Sequence, residues 1–246
     1  MKPIYIPKGK AKEYGDYAIN IYTGCPHECY YCFAPNVLHK IKDDFHKRIE
    51  PRKNIVDEVR KQIERENITG KLIHLCFTCD PYPKGYDSTP TREVIKTLKE
   101  TGNHVQILTK NGDDATRDFD LLDSGDWFGI TYAGYTINKI EDINSPPNEE
   151  MGAGSPYSRY LALWCAKERG INTWVSVEPV LCAEDVMSFI EVAEYVDLWK
   201  IGKLNYHPSN INWGDFGRKV EMLLKSKNKT YYIKESLRAE MVRGNE

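Results

Sequence analysis

Cys25, Cys29 and Cys32 lie in the stretch YTGCPHECYYCFAP, residues 22 to 35, and form a C-x3-C-x2-C triple. Three thiolates on so short a loop can hold three irons of a cubic cluster and leave the fourth iron without a protein ligand, open to a small molecule. A closed structural zinc site wants four ligands, commonly two C-x2-C pairs. His27 is the candidate fourth ligand here, but it lies inside the loop, between two of the cysteines. The contrasting reading is a zinc-stabilised, non-enzymatic binding module, colourless and with one zinc.

Further polar residues stand at the ends of apolar runs. LCFTCDPYP carries Cys76, Cys79 and Asp80, and ILTKN ends on Lys110 and Asn111. GITYAG ends on Thr131 and Tyr132, VSVEPV on Glu178, and KIGKLN on Lys200, Lys203 and Asn205. Each has an ordinary explanation: Asp80 can cap a Pro-rich turn, and Thr131 suits a strand by propensity alone. Taken together with the cysteine loop they form a constellation. Cys76 and Cys79 are a radical-quenching thiol pair, two ligands of a second metal site, or packing. Residues three apart on a regular strand face opposite sides, so both reach one cavity only if the chain turns at Thr78. Cys165 and Cys182 read as structural.

The elements that must position these residues alternate. Apolar β-rich runs YAINIY, KLIHLCF, HVQILTK, WFGITYAG, NTWVSVEPV and DLWKIGKLN are separated by helical patterns, the mark of βα units around a parallel sheet. In PRKNIVDEVRKQIEREN, Ile55, Val59 and Ile63 recur at i, i+4 and i+8, with Pro51 placed where a helix can start. A helix in WGDFGRKVEMLLKSK, the run TYYIKES and a short terminal helix follow as an extension over residues 206–246. There is no repeat or low-complexity segment, so the expectation is a single α/β domain over residues 1–246, with its chemistry at the strands' carboxyl ends. The polar segment from Asn138 to Pro156 reads as a lid or an insertion.

The spacing of the triple, Tyr31 just before its last cysteine, and its place after the first strand resemble the radical SAM superfamily. That resemblance implies a 4Fe–4S cluster binding S-adenosylmethionine through its amine and carboxylate, reductive cleavage to a 5′-deoxyadenosyl radical, and hydrogen abstraction from a substrate. TGCPHECYYC, TCDPY, ILTKN and SVEPV narrow the resemblance to the spore photoproduct lyase-like branch, over roughly residues 17 to 205. It implies a partial, six-stranded (β/α) barrel of TIM type and an electron donor such as flavodoxin or ferredoxin. It makes Tyr31, Asp80, Lys110 and Thr131 candidate cofactor contacts, and Cys79, Cys76 and Glu178 candidate catalytic residues. The sequence departs from the branch in three ways. Phe77 stands at the place of the lyase's hydrogen donor, flanked by Cys76 and Cys79; Phe33 and Ala34 follow the last cysteine; and the lyase's amino-terminal extension is missing. Repair of ultraviolet-damaged spore DNA is therefore not the expected activity.

Composition bounds the partners. A formal charge of −2 and a pI near 6.3 disfavour broad polyanion binding. No apolar run approaches the roughly 20 residues that span a bilayer, and the start MKPIYIPKGKAKEYGDY lacks a signal peptide's apolar centre. A cytoplasmic protein without membrane contact is expected, its seven cysteines serving as thiols or metal ligands. Sixteen tyrosines and five tryptophans can supply stacking platforms, so a nucleobase or nucleoside in DNA or RNA is the first substrate class. A peptide or small metabolite is the second.

Overall fold

The computed structural model describes residues 2–134 and 148–243. A two-residue strand β1 (Ile4–Tyr5) runs antiparallel to β2 (Tyr17–Ile19). From β2 onward every neighbour is parallel: β3 (Leu72–Leu75), β4 (His104–Thr109), β5 (Trp127–Thr131), β6 (Asn172–Val177), β7 (Leu198–Ile201) and β8 (Thr230–Ile233). Spatial order follows chain order from β1 to β8, and the two edges do not pair. The result is an open, partial barrel in which all parallel strands present their carboxyl ends at one rim.

Helices fill the crossovers. The short α1 (Ala34–Val37) and α2 (Lys42–Lys47) follow the cysteine loop, and α3 (Ile55–Glu66) leads to β3. Then come α4 (Thr89–Glu100), α5 (Gly112–Ala115) with a 3₁₀ turn over Thr116–Leu121, α6 (Pro156–Glu168), α7 (Ala183–Val192), α8 (Trp213–Ser226) and α9 (Glu235–Arg243). Ile55, Val59 and Ile63 form the buried face of α3, as their spacing predicts. The helix starts later than Pro51, because Pro51 is bridged to Tyr22 and Asn54 adopts a left-handed conformation. Among the described residues no helix is long and apolar enough to cross a membrane.

The six expected strands are present as β2 to β7, but the sheet has eight. TYYI, read as part of an extension, pairs with β7 as a further parallel strand, and β1 adds an antiparallel edge. β1 has only two residues and β8 four, of which one is buried, so neither carries a strong periodic signal. Most of the segment read as a lid lies outside the described residues.

Period-two alternation divides the strand residues between two surfaces. Ile73, Leu75, Val105, Ile107, Phe128, Ile130, Val175 and Val177 are buried in the apolar core. The alternate positions His74, Gln106, Trp174, Ser176 and Lys200 face the barrel interior, which is polar and aromatic. The Trp174 indole donates to the Ile107 carbonyl at 2.9 Å, and a Cβ on Gly129 would come within 2.3 Å of that indole, so glycine is required there. Tyr14, from the segment between β1 and β2, reaches into this interior, with its ring 5.5 Å from His74 and 5.9 Å from Trp174.

His74 shows what burial does to a titratable group here. Its ring stacks on Phe77 at 4.2 Å and bonds Gln106 through Nδ1, while Nε2 has no partner among the described residues. Burial lowers its pKa to about 3, although the Gln106 bond acts in the other direction. The native ring stays neutral where the unfolded chain takes up a proton. It therefore contributes stability that is present above pH 6.5 and lost as the pH falls toward 3. His74→Asn is expected to flatten the pH dependence of the unfolding midpoint in that window by about one proton. An unchanged slope would contradict the assignment.

Candidate metal and cofactor site

The chain leaves β2 into the cysteine loop, which is pinned from below. Thr23 N donates to the Glu50 carbonyl at 2.9 Å, Cys25 N to the Phe45 carbonyl at 3.3 Å, and His46 Nδ1 lies 2.7 Å from the Cys25 carbonyl. A Cβ at Gly24 would come within 2.4 Å of the Phe45 carbonyl, so the loop can pass α2 this closely only with glycine there. Cys32 N donates to the Cys29 carbonyl at 3.0 Å and closes the turn between the last two cysteines.

All three thiols are free. Cys29 is buried, and Cys25 and Cys32 are partly so. Burial raises all three thiol pKa values, that of Cys29 to about 12, while the Lys110 charge works the other way on Cys29 and Cys32. Buried thiols of this kind become thiolates when a metal supplies the compensating charge. Ligands of one tetrahedral zinc with bonds of about 2.3 Å would sit within about 4 Å of one another. Among the described residues, the cysteines form no group of three with ligand atoms within 4.8 Å. That is not the tetrahedral arrangement of one zinc's ligands.

His27 does not complete a zinc set. It is buried, with Nδ1 3.4 Å from Asp80 Oδ2, and Nε2 accepts the Lys84 N–H at 3.4 Å. Burial lowers its pKa to about 4, against the pull of Asp80, so the ring is neutral. Its role is to tie the cysteine loop to the end of β3.

Asp80 joins several elements. Oδ1 accepts from Tyr82 N at 2.8 Å, the Asx turn expected of a Pro-rich bend, and from Thr109 Oγ1 at 2.6 Å. Oδ2 accepts from Lys110 N at 2.9 Å. Both oxygens are thus engaged by protein donors, and Asp80 fixes the carboxyl ends of β3 and β4 beside the loop.

Tyr31 and Lys110 do come together, with the ammonium 5.7 Å from the ring centroid. Sequence reasoning missed what holds them. The Tyr31 hydroxyl donates to Glu150, whose other oxygen accepts from Arg159 Nη2 at 2.5 Å; Glu150 and Arg159 are both fully buried. Arg159 also donates to the carbonyls of Thr131, at 3.2 Å, and Gly154. Burial raises the Glu150 pKa, and Arg159 opposes this. One ion pair therefore links the cysteine loop, the end of β5 and α6. The backbone around Glu150 seals the contact: Tyr30 N donates to the Glu149 carbonyl at 3.1 Å, and Gly152 N to the His27 carbonyl at 3.1 Å. An arginine four residues before Leu163 on a buried helix face was the available signal.

Cys76 and Cys79 take a different place. Cys76 ends the strand at φ +70°, and the side-chain carbonyl of Asn20 accepts from Phe77 N at 2.8 Å and Thr78 N at 3.0 Å. The turn comes earlier than Thr78, and it is Phe77 that faces the interior. The two thiols are hydrogen-bonded neighbours close to Tyr22, Tyr5 and Arg52. Burial acts to raise the pKa of Cys79, but the Cys76 thiol, the Tyr22 amide and Arg52 together lower it.

Glu178 does face the interior. It pairs with the fully buried Lys234, accepts from Asn205 Nδ2 at 3.0 Å, and accepts from the Tyr14 hydroxyl at 3.3 Å. Lys200 donates to the carbonyls of Glu13 at 2.8 Å and Tyr14 at 3.1 Å, and burial lowers its pKa to about 8. Lys203 pairs with Glu240, and the Tyr132 ring stacks on Phe189 at 4.1 Å. Lys234 was missed only because β8 was not counted as a strand of the sheet.

An open groove of about 1010 Å³ lies beside the loop at the carboxyl rim. It is lined by Tyr30 and Glu149 on one side and by Glu184, Leu204, Asp215 and Lys219 on the other. Lys219 is paired with Asp215 at 2.7 Å, which leaves the groove acidic.

No protein-family profile matches the chain. An uncharacterized protein of Mycobacterium tuberculosis is 27% identical over 174 residues, covering 67% of this chain and 49% of that protein. One of Methanocaldococcus jannaschii is 29% identical over 183 residues, covering 74% of this chain and 64% of the relative. The chain thus spans about half the length of the mycobacterial relatives it matches. Among solved structures, spore photoproduct lyase with bound S-adenosylmethionine and dinucleoside spore photoproduct superposes with a TM-score of 0.67 at 14% identity, covering 93% of this chain and 79% of the lyase. SuiB of Streptococcus suis, bound to S-adenosylmethionine, superposes at 0.62 and 9% identity, covering 88% of this chain and 46% of SuiB. Both carry S-adenosylmethionine in those structures, and the chain has their fold, an open barrel of the spore photoproduct lyase-like type.

Proposed function

We propose that the protein is a radical S-adenosylmethionine enzyme that abstracts a hydrogen atom from an organic substrate seated in the groove beside the cysteine loop. The observation that carries this reading is the meeting of three free cysteines with Tyr31 and Lys110 at the carboxyl rim of a radical SAM fold. Cys25, Cys29 and Cys32 would hold three irons of a 4Fe–4S cluster. His27 is committed to Asp80 and Lys84, which favours an iron left open to S-adenosylmethionine over a closed zinc site. Bound together, cluster and S-adenosylmethionine supply a reductively formed 5′-deoxyadenosyl radical.

This chain's own residues bind and orient. Lys110 brings positive charge to the rim, where it can meet the cofactor's carboxylate. Asp80, with both oxygens engaged by Tyr82, Thr109 and Lys110, acts as a positioning residue. Thr131 marks the end of β5, and its carbonyl is held by Arg159. Glu178 faces the interior, with its charge balanced by Lys234. Phe77 occupies the inward position between Cys76 and Cys79, so a hydrogen return from either thiol would require the β3 turn to rearrange.

A nucleobase or nucleoside substrate is supported by the fold shared with the lyase and by the edge-on pair of Tyr30 and His207, 5.2 Å apart near the loop. A peptide is the second reading. Glu149 and Glu184 along the groove repel a polyanionic strand and suit a neutral or cationic chain, and SuiB is also seen bound to its precursor peptide SuiA. Anaerobic turnover of reconstituted protein against DNA, tRNA, nucleoside and peptide pools, followed by mass spectrometry, tests both. New masses in one pool that require S-adenosylmethionine identify the substrate class. Deoxyadenosine formation without a new mass in the nucleic-acid or nucleoside pools would count against the first reading.

A further inference from the structure

The proposed reaction makes no use of Cys76 and Cys79. They are three residues apart, a spacing that on a regular strand turns side chains to opposite faces. The strand ends at Leu75 instead, and the φ of +70° at Cys76 sends residues 77–79 into a bend that leaves the two thiols in hydrogen-bond contact. The bend is built without the sulfurs. Asn20 Oδ1 accepts from Phe77 N at 2.8 Å and from Thr78 N at 3.0 Å, Asn20 Nδ2 donates to the Tyr5 hydroxyl at 2.9 Å, and Cys76 N donates to the Ile19 carbonyl at 2.7 Å. Its backbone bonds therefore do not depend on whether the two sulfurs are joined.

The two thiols are unequal. Cys76 is buried, whereas Cys79 is partly exposed. Burial raises the pKa of Cys76 well above the usual thiol value; it acts in the same direction on Cys79, where the Cys76 thiol, the Tyr22 amide and the Arg52 charge outweigh it. A cation beside one thiol of a C-x2-C pair is what makes that thiol the nucleophile. Arg52 Nε is buried and has no hydrogen-bond partner among the described residues. A metal would need further ligands, and among the described residues no third His, Cys, Asp or Glu completes a ligand group with this pair. Asp80, next in the chain, has both oxygens engaged.

We infer that Cys76 and Cys79 are a thiol–disulfide exchange site for a low-molecular-weight disulfide, with Cys79 the attacking thiol and Cys76 the resolving one. The site is independent of the cluster reading of Cys25, Cys29 and Cys32. The Cys79 thiolate attacks one sulfur of the disulfide, the S–S bond breaks, and one thiolate leaves. Cys76 then gives its proton to that thiolate and attacks the Cys79 sulfur, which displaces the second thiol and closes the Cys76–Cys79 bond. The pair loses two electrons and two protons, and the disulfide leaves as two thiols. A small disulfide suits a nucleophile that is only partly exposed, and Arg52 favours one that carries carboxylates, as glutathione disulfide does.

The test uses the whole protein, because trypsin cuts after Lys71 and Lys84 and so isolates Cys76 and Cys79 from the other cysteines. Folded protein is equilibrated without oxygen in mixtures of reduced and oxidised glutathione, quenched in acid, alkylated, digested and weighed by mass spectrometry. As oxidised glutathione rises, the 72–84 peptide is expected to pass from a doubly alkylated form to an unalkylated form two hydrogens lighter than the dithiol. Cys76→Ser should stop at a glutathione adduct on Cys79, and Cys79→Ser should leave Cys76 unmodified. Brief alkylation of the reduced wild type should mark Cys79 about tenfold or more faster than Cys76, and Arg52→Gln should shrink that ratio. A 72–84 peptide that stays doubly alkylated in every mixture would overturn the exchange site and return the pair to packing. An adduct trapped on Cys76 in Cys79→Ser, with none on Cys79 in Cys76→Ser, would overturn the assigned roles.

Discussion

Cys25→Ala, Cys29→Ala and Cys32→Ala, each reconstituted anaerobically beside the wild type, are expected to lose the brown colour and most of the bound iron. Two thiolates cannot hold a cubic cluster on one loop. Deoxyadenosine formation should fall by more than about 100-fold, the upper end of what removing even an outer-shell partner costs a metal site. The fold should survive, because the cysteines sit on a loop pinned by backbone bonds from Thr23 and Cys25 and by the His46 imidazole, and not by the thiols themselves. Far-ultraviolet circular dichroism of the variants checks that point. Full iron in any of the three would contradict the ligand assignment.

Arg159→Met is expected to be the most damaging substitution for stability. The guanidinium and the Glu150 carboxylate are both fully buried, and removing the cation leaves Glu150 enclosed without its guanidinium partner. Breaking a buried pair in this way costs about 3–5 kcal/mol. For a domain of this size each kcal/mol moves the melting temperature by about 2–4 °C, so a fall of roughly 6–20 °C is expected in scanning calorimetry. The double variant Arg159→Met/Glu150→Gln should recover much of that loss, since the remaining amide carries no charge. A single variant that melts within a degree or two of the wild type would show that Glu150 is compensated elsewhere. The same substitution removes the donor to the Thr131 carbonyl and the guanidinium that holds Glu150 against Tyr31, so S-adenosylmethionine cleavage should weaken even where the protein remains folded.

Local features were the legible ones. The cysteine triple is defined by spacing alone, and the strand-end residues were found because Pro and Gly mark where each apolar run stops. Even so, a residue's place did not reveal its partners. Asp80 reads as a candidate cofactor contact at a Pro-rich turn, and its protein partners Thr109 and Lys110, besides the local Tyr82, lie 29 and 30 residues away in sequence. Cys76 and Cys79 were judged by strand periodicity, and the positive φ at Cys76 ended that periodicity a residue after the strand. That local backbone choice is what turns Phe77 inward. The least legible features were non-local and charged. Glu150 meets Tyr31 across 119 residues, and Tyr14 meets Lys234 across 220, so no window of sequence contains either pair.

The barrel's lack of closure ties fold to function. With β1 and β8 at opposite edges of the sheet, the interior is filled from the side by Tyr14, which donates to Glu178, while Lys200 holds the backbone of the same segment. On the proposed function, substrate would reach the cysteine loop through the groove that opens beside Tyr30 at the rim.

Reductive cleavage of S-adenosylmethionine is the measurement that decides the matter. Protein reconstituted with iron and sulfide under anaerobic conditions, given S-adenosylmethionine and dithionite, should form 5′-deoxyadenosine and methionine in equal amounts. Each Cys→Ala variant, or omission of the reductant, should abolish the product. A protein that binds one zinc per chain, stays colourless and forms no deoxyadenosine would contradict the account and return the cysteine loop to a structural role.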